Sequence, residues 1–138
     1  TDCYYWEKPR HTVMIDTFYM SKFSVTQKQW KAIMGSDPSR KDCDECPVVY
    51  VTWFDAQMFI SKLNQLTDGG FRLPTEAEWE FACRAGQGGI WPMTNRNASI
   101  DEVAWYIGNS GGRIHNVASR PASNGFGLFD MLGNESEW

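Results

Sequence analysis

Two cysteines separated by two residues, Cys43 and Cys46, form the pair in this sequence that is most open to chemistry. Their spacing suits either a redox-active pair or one half of a zinc site. Together with Cys3 and Cys83 they allow three disulfide pairings or a fully reduced state. A tetrahedral zinc site would need two more ligands from distant positions. We therefore rank a local disulfide, or two free thiols, above zinc at this position.

Three acidic residues lie near Arg72 at the start of a predicted helix. They are Glu76, Glu78 and Glu80. The N-terminus of a helix favours carboxylates through its dipole, and an arginine can pair with one of them. Such clusters are more often structural than catalytic. The cluster therefore predicts a capped, salt-bridged helix rather than an acid–base site.

The composition limits what kind of protein this chain can be. Its 138 residues are the length of one domain, 1–138, and 42% of them are hydrophobic, enough for a core. A net charge of −4 with scattered Lys and Arg argues against nucleic acid as a partner. No apolar run reaches the roughly 20 residues that a membrane span requires. Because the chain begins at Thr1 instead of Met, we expect that a leader or a neighbouring segment has been removed.

Three helices are predicted from capping residues that precede apolar residues at helical spacing. The first begins after Thr26 and ends at Gly35, a residue type that readily takes the left-handed conformation. The second begins after Thr52 and stops at residues 67–70, which read TDGG. The third begins after Thr75, which has a glutamate three positions later, as in a capping box. This third helix carries the acidic cluster at its start.

Short strands and long loops are predicted for the rest of the chain. Residues 11–25 alternate loosely between apolar and polar types and favour one or two strands, and residues 48–51, VVYV, favour another. Residues 86–138 are rich in Gly, Asn and Ser and have few apolar pieces, which predicts long loops. Because long ordered loops usually carry function, we expect the ligand-contacting residues in this second half.

Three segments, residues 47–59, 71–86 and 124–138, together resemble the sulfatase-modifying-factor family, which includes the formylglycine-generating enzymes. The last segment follows the family pattern G-L-[YF]-D-M-x-G-N-x-x-E-W. The resemblance spans nearly the whole chain and implies an α+β fold of the C-type lectin-like type. In such a fold, helices pack on a small twisted antiparallel sheet, and the loop-rich second half forms the ligand face.

The catalytic residues of the family are not found in this chain. Formylglycine-generating enzymes use a pair of cysteines beyond the G-N-x-x-E-W pattern, and none of the four cysteines here matches them. The related iron-dependent sulfoxide synthases need a cluster of histidines, whereas only His11 and His115 are present. The resemblance therefore implies a protein that is not an enzyme. The alternative is an oxidase of the formylglycine-generating type whose catalytic C-terminal tail is absent from this chain.

A third branch that this chain resembles, the variable proteins of diversity-generating retroelements, uses the same scaffold to bind ligands. Our leading hypothesis is a non-catalytic ligand-binding module, of which such a variable protein is one form. Its partner would be a protein or a small molecule that meets side chains of the loop-rich face. The predicted ligand-binding residues are Tyr106, Ile107, Asn109, Arg113, Asn116 and Ser136.

The same resemblance implies a calcium site in the segment DMLGNESEW, residues 130–138. Carried over position by position from calcium-binding relatives, the ligands are the Asp130 side chain, the Gly133 and Glu135 carbonyls and the Glu137 carboxylate. Ca²⁺ takes about 6 to 8 oxygen ligands of these kinds. Ca²⁺ is therefore the one cofactor that we predict, and turn capping by the two carboxylates is the alternative.

Overall fold

The computed structural model of the protein describes residue 9 and residues 11–87 and 99–138. Cys3, one of the candidate distant zinc ligands, lies outside these residues. Four helices lie within the described ranges: α1 (Gln27–Met34), α2 (Trp53–Leu66), α3 (Glu76–Arg84) and α4 (Ile100–Val103). None of these four has the length and apolar character that a membrane crossing requires.

Each of the three predicted helices begins with the threonine that the sequence indicates. At α1 the Thr26 hydroxyl accepts a hydrogen bond from the Gln29 backbone N–H at 3.2 Å, and the Gln29 side chain accepts one from the Thr26 N–H at 2.9 Å. The starts of α2 and α3 repeat this reciprocal pair. Because the first N–H groups of a helix lack partners within it, these local bonds fix where each helix begins. The predicted helix starts are thus confirmed.

The short helix α4 lies inside a region that the sequence predicts as loop. Ser99 caps it by accepting a hydrogen bond from the Asp101 N–H at 3.2 Å, and Glu102 accepts one from the Ser99 N–H at 3.1 Å. The capping pattern Ser-x-x-Glu is present in the sequence, but a single helical turn has too few residues to show apolar periodicity. The capping pattern was therefore the feature of the sequence from which α4 could have been predicted.

The antiparallel sheet predicted from the sequence is not confirmed. In the described part of the chain, residues 11–25 and 48–51 form no strand, and the pairing present is an isolated antiparallel bridge between Thr26 and Pro47. Alternating side chains favour an extended backbone, but a strand forms only when a neighbouring segment supplies matching hydrogen bonds. Among the described residues, the bridge between Thr26 and Pro47 is the one place where two segments pair in this way.

Helices α1 and α2 pack against each other through aromatic rings. The rings of Trp30 and Phe59 stack nearly parallel with their centroids 5.0 Å apart, and both side chains are buried. Helix α3 contributes Ala82 and Cys83 to the interior. Aromatic contacts of this kind add stability beyond the area that they bury. Helices α1 and α2 thereby form one packed pair.

Hydrogen bonds anchor the loop-rich second half onto α3 and onto the segment before α1. The Asn124 side-chain amide donates to the carbonyls of Ala82 and Cys83, at 2.7 and 3.2 Å, near the end of α3. The Phe129 N–H donates to the Lys22 carbonyl at 2.9 Å. Because the last carbonyls of a helix lack partners within it, Asn124 satisfies groups that would otherwise be unpaired. This anchoring directs the following segment back toward the start of α3.

Candidate functional site

A cleft of about 640 Å³, which we call the α3 cleft, opens between the start of α3 and the segment 130–138. One wall consists of Pro74, Thr75, Glu76 and Trp79, and the other of residues 130–133 and 135–138. Five of the ten residues predicted to bind a ligand or a metal line it: Asp130, Gly133, Glu135, Ser136 and Glu137. The structure therefore brings the predicted calcium ligands and one predicted ligand-binding residue to one place.

Glu137 ties the two walls of the α3 cleft together. Its Oε2 accepts a hydrogen bond from the Trp79 indole N–H at 2.9 Å, and its Oε1 accepts one from the Ser24 hydroxyl at 2.7 Å. Hydrogen bonds to an ionised carboxylate are stronger than those between neutral groups. Trp79 lies 58 residues away along the chain, so this bond links two wall residues that are distant in sequence. The residue predicted as the closing calcium ligand thus also has a positioning role.

Asp130 is the buried carboxylate of the cleft, with 4% of its surface exposed and a left-handed backbone (φ 61°). Its Oδ2 accepts a hydrogen bond from the Ala118 N–H at 2.7 Å, whereas its Oδ1 has no hydrogen-bond partner among the described residues. Burial raises the pKa of Asp130 above its ordinary value, and the charge of Glu137 raises it further against the opposing effect of the Ala118 bond. Because a buried oxygen without a partner is costly, we expect a cation, a water molecule or a proton to satisfy it.

The predicted calcium ligands fit the ion in part. Asp130 offers its unpartnered Oδ1, a good ligand type for Ca²⁺. Both oxygens of Glu137 already accept hydrogen bonds, although each oxygen has a second lone pair. In the part of the chain that the structure describes, no three His, Cys, Asp or Glu side chains group closely enough to hold a metal. A calcium site here would therefore depend on the carbonyls of Gly133 and Glu135.

Gly133 and Asn134 join one wall of the α3 cleft to a neighbouring loop. A Cβ atom at Gly133 would overlap the Trp105 carbonyl oxygen, so the two backbones approach more closely than a side chain allows. The Asn134 N–H donates to the same oxygen at 2.8 Å. The Asn134 side chain accepts from the His115 N–H at 2.9 Å and donates to the His115 carbonyl at 3.0 Å. The sequence analysis did not predict this structural role. The adjacent Gly and Asn of the family pattern were the feature that could have indicated it.

Two of the predicted ligand-binding residues, Tyr106 and Asn109, hydrogen-bond within their own loop. The Tyr106 hydroxyl donates to Asp101 Oδ1 at 2.8 Å, and this bond raises the pKa of Tyr106. The Asn109 amide donates to the same oxygen at 3.0 Å, and its Oδ1 accepts from the Tyr106 N–H at 2.9 Å. Ile107, between them, is 95% exposed. The polar groups of this loop therefore hold its shape, and Ile107 is the more exposed of its two large hydrophobic side chains.

The other predicted ligand-binding residues lie in different surroundings. Arg113 is exposed, and Asn116 places its amide oxygen 3.4 Å from the Cys43 sulfur and 3.6 Å from the Cys46 sulfur. Of the six predicted residues, Ser136 lines the α3 cleft and the others do not. The structure therefore does not bring all six to one cavity, because residues near one another in a long loop can face different directions.

Cys43 and Cys46 are joined by a disulfide. Of the states that the sequence left open for this pair, the local disulfide is therefore confirmed. The thiolates that half of a zinc site needs are consumed by this bond. Cys83 is free and buried in α3. Burial raises the pKa of the Cys83 thiol, which lowers its thiolate fraction at neutral pH. Within the described ranges, then, no cysteine has the surroundings of an activated nucleophile.

Glu78 and Glu80 of the acidic cluster at the start of α3 are structural, as predicted, whereas Glu76 lines the α3 cleft. The Arg72 guanidinium makes two hydrogen bonds to the Glu78 carboxylate, at 2.6 and 2.7 Å. These bonds, together with one from the Thr75 N–H, lower the pKa of Glu78 to about 2. Glu80 pairs instead with Arg84 at 2.7 Å. The cluster therefore holds the start of α3, and with it one wall of the cleft, in place.

The family described as the sulfatase-modifying factor enzyme 1-like domain matches residues 2–138 of this chain. The chaperone protein LppX of Paenibacillus barcinonensis is 31% identical over 91% of this chain and 62% of its own length. In Mus musculus, the formylglycine-generating enzyme is 34% identical and the inactive C-alpha-formylglycine-generating enzyme 2 is 33% identical, each over 83% of this chain. The chain spans 32% and 38% of the lengths of these two mouse proteins.

A solved structure is also similar. Variable protein 1 of Treponema denticola matches with a TM-score of 0.75 and 31% sequence identity, over 83% of this chain and 59% of that protein. These matches support the C-type lectin-like fold of the formylglycine-generating-enzyme type that the sequence predicts. The chain spans less than two thirds of each of these relatives. Because they include an active enzyme and an inactive one, their names alone do not decide whether the cleft is catalytic.

Proposed function

The chain belongs to the sulfatase-modifying factor enzyme 1-like family, and from that premise we propose that it is a non-catalytic ligand-binding module related to the variable proteins of diversity-generating retroelements. The observation that carries this proposal is the α3 cleft, where five residues predicted to bind a ligand or a metal meet. A concave site with aromatic walls and a few polar groups is the usual form of a ligand pocket. The similarity to the Treponema denticola variable protein supports the same function.

The alternative, an oxidase of the formylglycine-generating type, draws support from the active mouse relative. Such an enzyme acts through a reactive cysteine pair, whereas Cys43 and Cys46 are bonded to each other and do not line the α3 cleft. Cys83 is buried, and its raised pKa disfavours the thiolate. The described residues thus provide the cleft with groups for binding, whereas the oxidase would need its cysteine pair from a segment outside this chain. Binding by the residues that are present is therefore the function that we propose.

The charge of the α3 cleft indicates the kind of ligand that complements it. Its charged residues are all acidic: Glu76, Asp130, Glu135 and Glu137. No basic side chain from the described ranges lines it, and the rings of Trp79 and Trp138 add aromatic surface that attracts cations. A ligand with a cationic group, either a protein carrying lysine or a small amine, therefore complements the cleft.

We expect the cleft to bind the cationic peptide tetralysine and to reject tetraglutamate at low ionic strength. Glu135→Gln removes one cleft charge and should weaken tetralysine binding about fivefold, since a charge pair near the surface is worth about 1 kcal/mol. The matched control Asp68→Asn removes one charge from an exposed position outside the cleft and should leave the affinity unchanged. Isothermal titration calorimetry measures both variants.

Equal weakening by the two variants would show that tetralysine responds only to net charge, which contradicts a defined site. An oxygen electrode tests whether the residues of this chain are catalytic by themselves: the protein is incubated with a cysteine-containing peptide and a thiol reductant. Steady oxygen consumption that scales with protein concentration would overturn the non-catalytic function. A binding module is expected to show no turnover.

We further propose that Ca²⁺ binds in the α3 cleft to Asp130, Glu137 and the carbonyls of Gly133 and Glu135. The unpartnered Oδ1 of Asp130 supports this proposal, because a cation would satisfy it. The ion would also relieve the repulsion through which Glu137 raises the pKa of Asp130. The side chains of Glu76 and Glu135 would remain for a cationic ligand.

Titration of the EDTA-treated protein with Ca²⁺ is expected to give saturable heat and a raised melting temperature. Asp130→Asn should abolish both, since an amide replaces the anionic ligand. Because burial raises the pKa of Asp130, a proton competes with the ion, and the affinity should fall as the pH is lowered from neutral. In the ion-free protein the ionised Asp130 costs stability at neutral pH, and this cost disappears as the carboxyl takes up a proton. Neither heat nor a melting shift at millimolar Ca²⁺ would contradict the calcium site.

A further inference from the structure

We propose that the disulfide between Cys43 and Cys46 is a redox-sensitive clamp on the α3 cleft. We call residues 43–46 the clamp turn. While the disulfide is intact, the clamp turn holds residues 115–118 in place; after its reduction these residues loosen, and a buried carboxylate of the cleft loses its support. The clamp rests on the proposed function only for its effect on ligand binding, because the loosening of the loop does not depend on any ligand.

The clamp turn is fixed on one side to the start of α1. The Gln27 N–H donates to the Cys46 carbonyl at 2.9 Å, and the Lys28 N–H donates to the Asp44 carbonyl at 3.2 Å. The Gln27 side chain, 2% exposed, accepts from the Cys43 N–H at 2.9 Å. The first N–H groups of a helix lack partners within it, and an unpaired buried group is costly. These three bonds therefore attach the clamp turn to a packed helix.

The clamp turn also contacts the loop that contains Asn116 and Val117. The Val117 N–H donates to the Glu45 carbonyl at 2.8 Å. The Asn116 amide oxygen lies 3.4 Å from the Cys43 sulfur and 3.6 Å from the Cys46 sulfur. Sulfurs in a disulfide carry no proton, and reduction gives this oxygen only weak S–H donors, which do not replace the N–H···O bond from Val117 to Glu45. The loop therefore meets a different surface in each redox state.

A single residue connects Val117 to the cleft. The Ala118 N–H donates to Asp130 Oδ2 at 2.7 Å and partners that buried carboxylate. Ala118 has a left-handed backbone (φ 54°), which a residue with a Cβ rarely adopts unless neighbouring contacts hold it. The bond from Val117 to Glu45 is such a contact. Glu45 lies between the two cysteines, so opening the disulfide frees its carbonyl to move; when the bond to Val117 is lost, Ala118 relaxes and Asp130 loses its donor.

Reduction proceeds by thiol–disulfide exchange with a dithiol. A thiolate of the dithiol attacks the Cys43 sulfur, since Cys43 is half-buried whereas Cys46 is 4% exposed. The bond between the two protein sulfurs breaks, Cys46 leaves as a thiolate that takes up a proton, and Cys43 enters a mixed disulfide. The second thiolate of the reductant then displaces Cys43, which also takes up a proton. Two electrons and two protons pass to the protein, and the reductant becomes a disulfide.

Hydrogen exchange at individual amides tests the clamp. The Val117 and Ala118 amides are followed in oxidised protein and in protein reduced with dithiothreitol, and their protection should fall about tenfold on reduction. The Ala85 amide, which closes α3, is the internal control and should keep its protection. The double variant Cys43→Ser, Cys46→Ser should exchange like the reduced protein and should not respond to dithiothreitol.

Unchanged protection at Val117 and Ala118 after reduction would overturn the clamp. A parallel loss of protection at Ala85 would overturn it too, because the disulfide would then support the whole fold instead of one loop. Tetralysine titration of both redox states separates this inference from the proposed function. Weaker binding in the reduced state supports both, whereas exchange that responds to reduction in a protein that never binds tetralysine supports the clamp and contradicts the ligand site.

Discussion

Adding a single methyl group at Gly133 is expected to destabilise the protein by about 3 kcal/mol or more, because the position has no room for it. A Cβ atom there would overlap the Trp105 carbonyl oxygen and press on its carbonyl carbon. These are backbone atoms, so no side chain can rotate away. The Asn134 N–H donates to the same oxygen at 2.8 Å, and this bond would weaken as the two segments separate. Urea denaturation of Gly133→Ala, followed by tryptophan fluorescence, measures the loss.

Gly112→Ala is the matched control, because a Cβ atom at Gly112 meets nothing within 4 Å. Its left-handed backbone (φ 71°) still carries a penalty of roughly 1–2 kcal/mol for a residue with a side chain. The two variants thus separate a conformational penalty from a collision. Equal losses of stability in both would mean that the segments of Gly133 and Trp105 can separate at little cost, contrary to our expectation.

The second large effect is expected for Asn134→Ala, which should lower the free energy of unfolding by about 2–4 kcal/mol. The substitution leaves the His115 N–H and carbonyl without their side-chain partner in a partly buried site. Asn134 also has a left-handed backbone (φ 73°), which asparagine tolerates better than alanine. Both losses act on the contact that joins one cleft wall to the loop of Trp105. Urea unfolding measures the sum of the two.

Asn134→Gly separates these two causes, because glycine removes the side chain but accepts the left-handed backbone without strain. We expect this variant to be more stable than Asn134→Ala by about 1 kcal/mol, yet still less stable than the unchanged protein. If it were as stable as the unchanged protein, the side-chain hydrogen bonds would contribute little. The backbone conformation alone would then explain asparagine at this position.

The helices could be predicted from the sequence because their causes are local. Thr26 and Thr75 each lie three positions from the residue that completes their capping hydrogen bonds. Contacts within one turn depend little on the rest of the chain. The strands predicted for residues 11–25 and 48–51 are not confirmed for the opposite reason, since alternation within one segment does not specify the partner that a ladder needs.

One wall of the candidate site could likewise be predicted from the sequence, and the other could not. Asp130, Gly133, Glu135 and Glu137 lie within eight consecutive positions, and the family resemblance of that segment implied them as one group. The opposite wall could not be identified in this way, because Trp79 meets Glu137 across 58 residues. The ligand-binding residues chosen from the loops, apart from Ser136, lie outside the α3 cleft.

The sequence by itself thus determined the helix starts, the family and the acidic character of the segment 130–138. Only the tertiary structure decided that Asp130 is buried with one unpartnered oxygen, and that Glu137 bonds to both Trp79 and Ser24. The physical reason is that helix capping and local charge depend on residues that are neighbours along the chain. Burial, long-range hydrogen bonds and the pKa shifts that follow from them arise only when distant segments pack together.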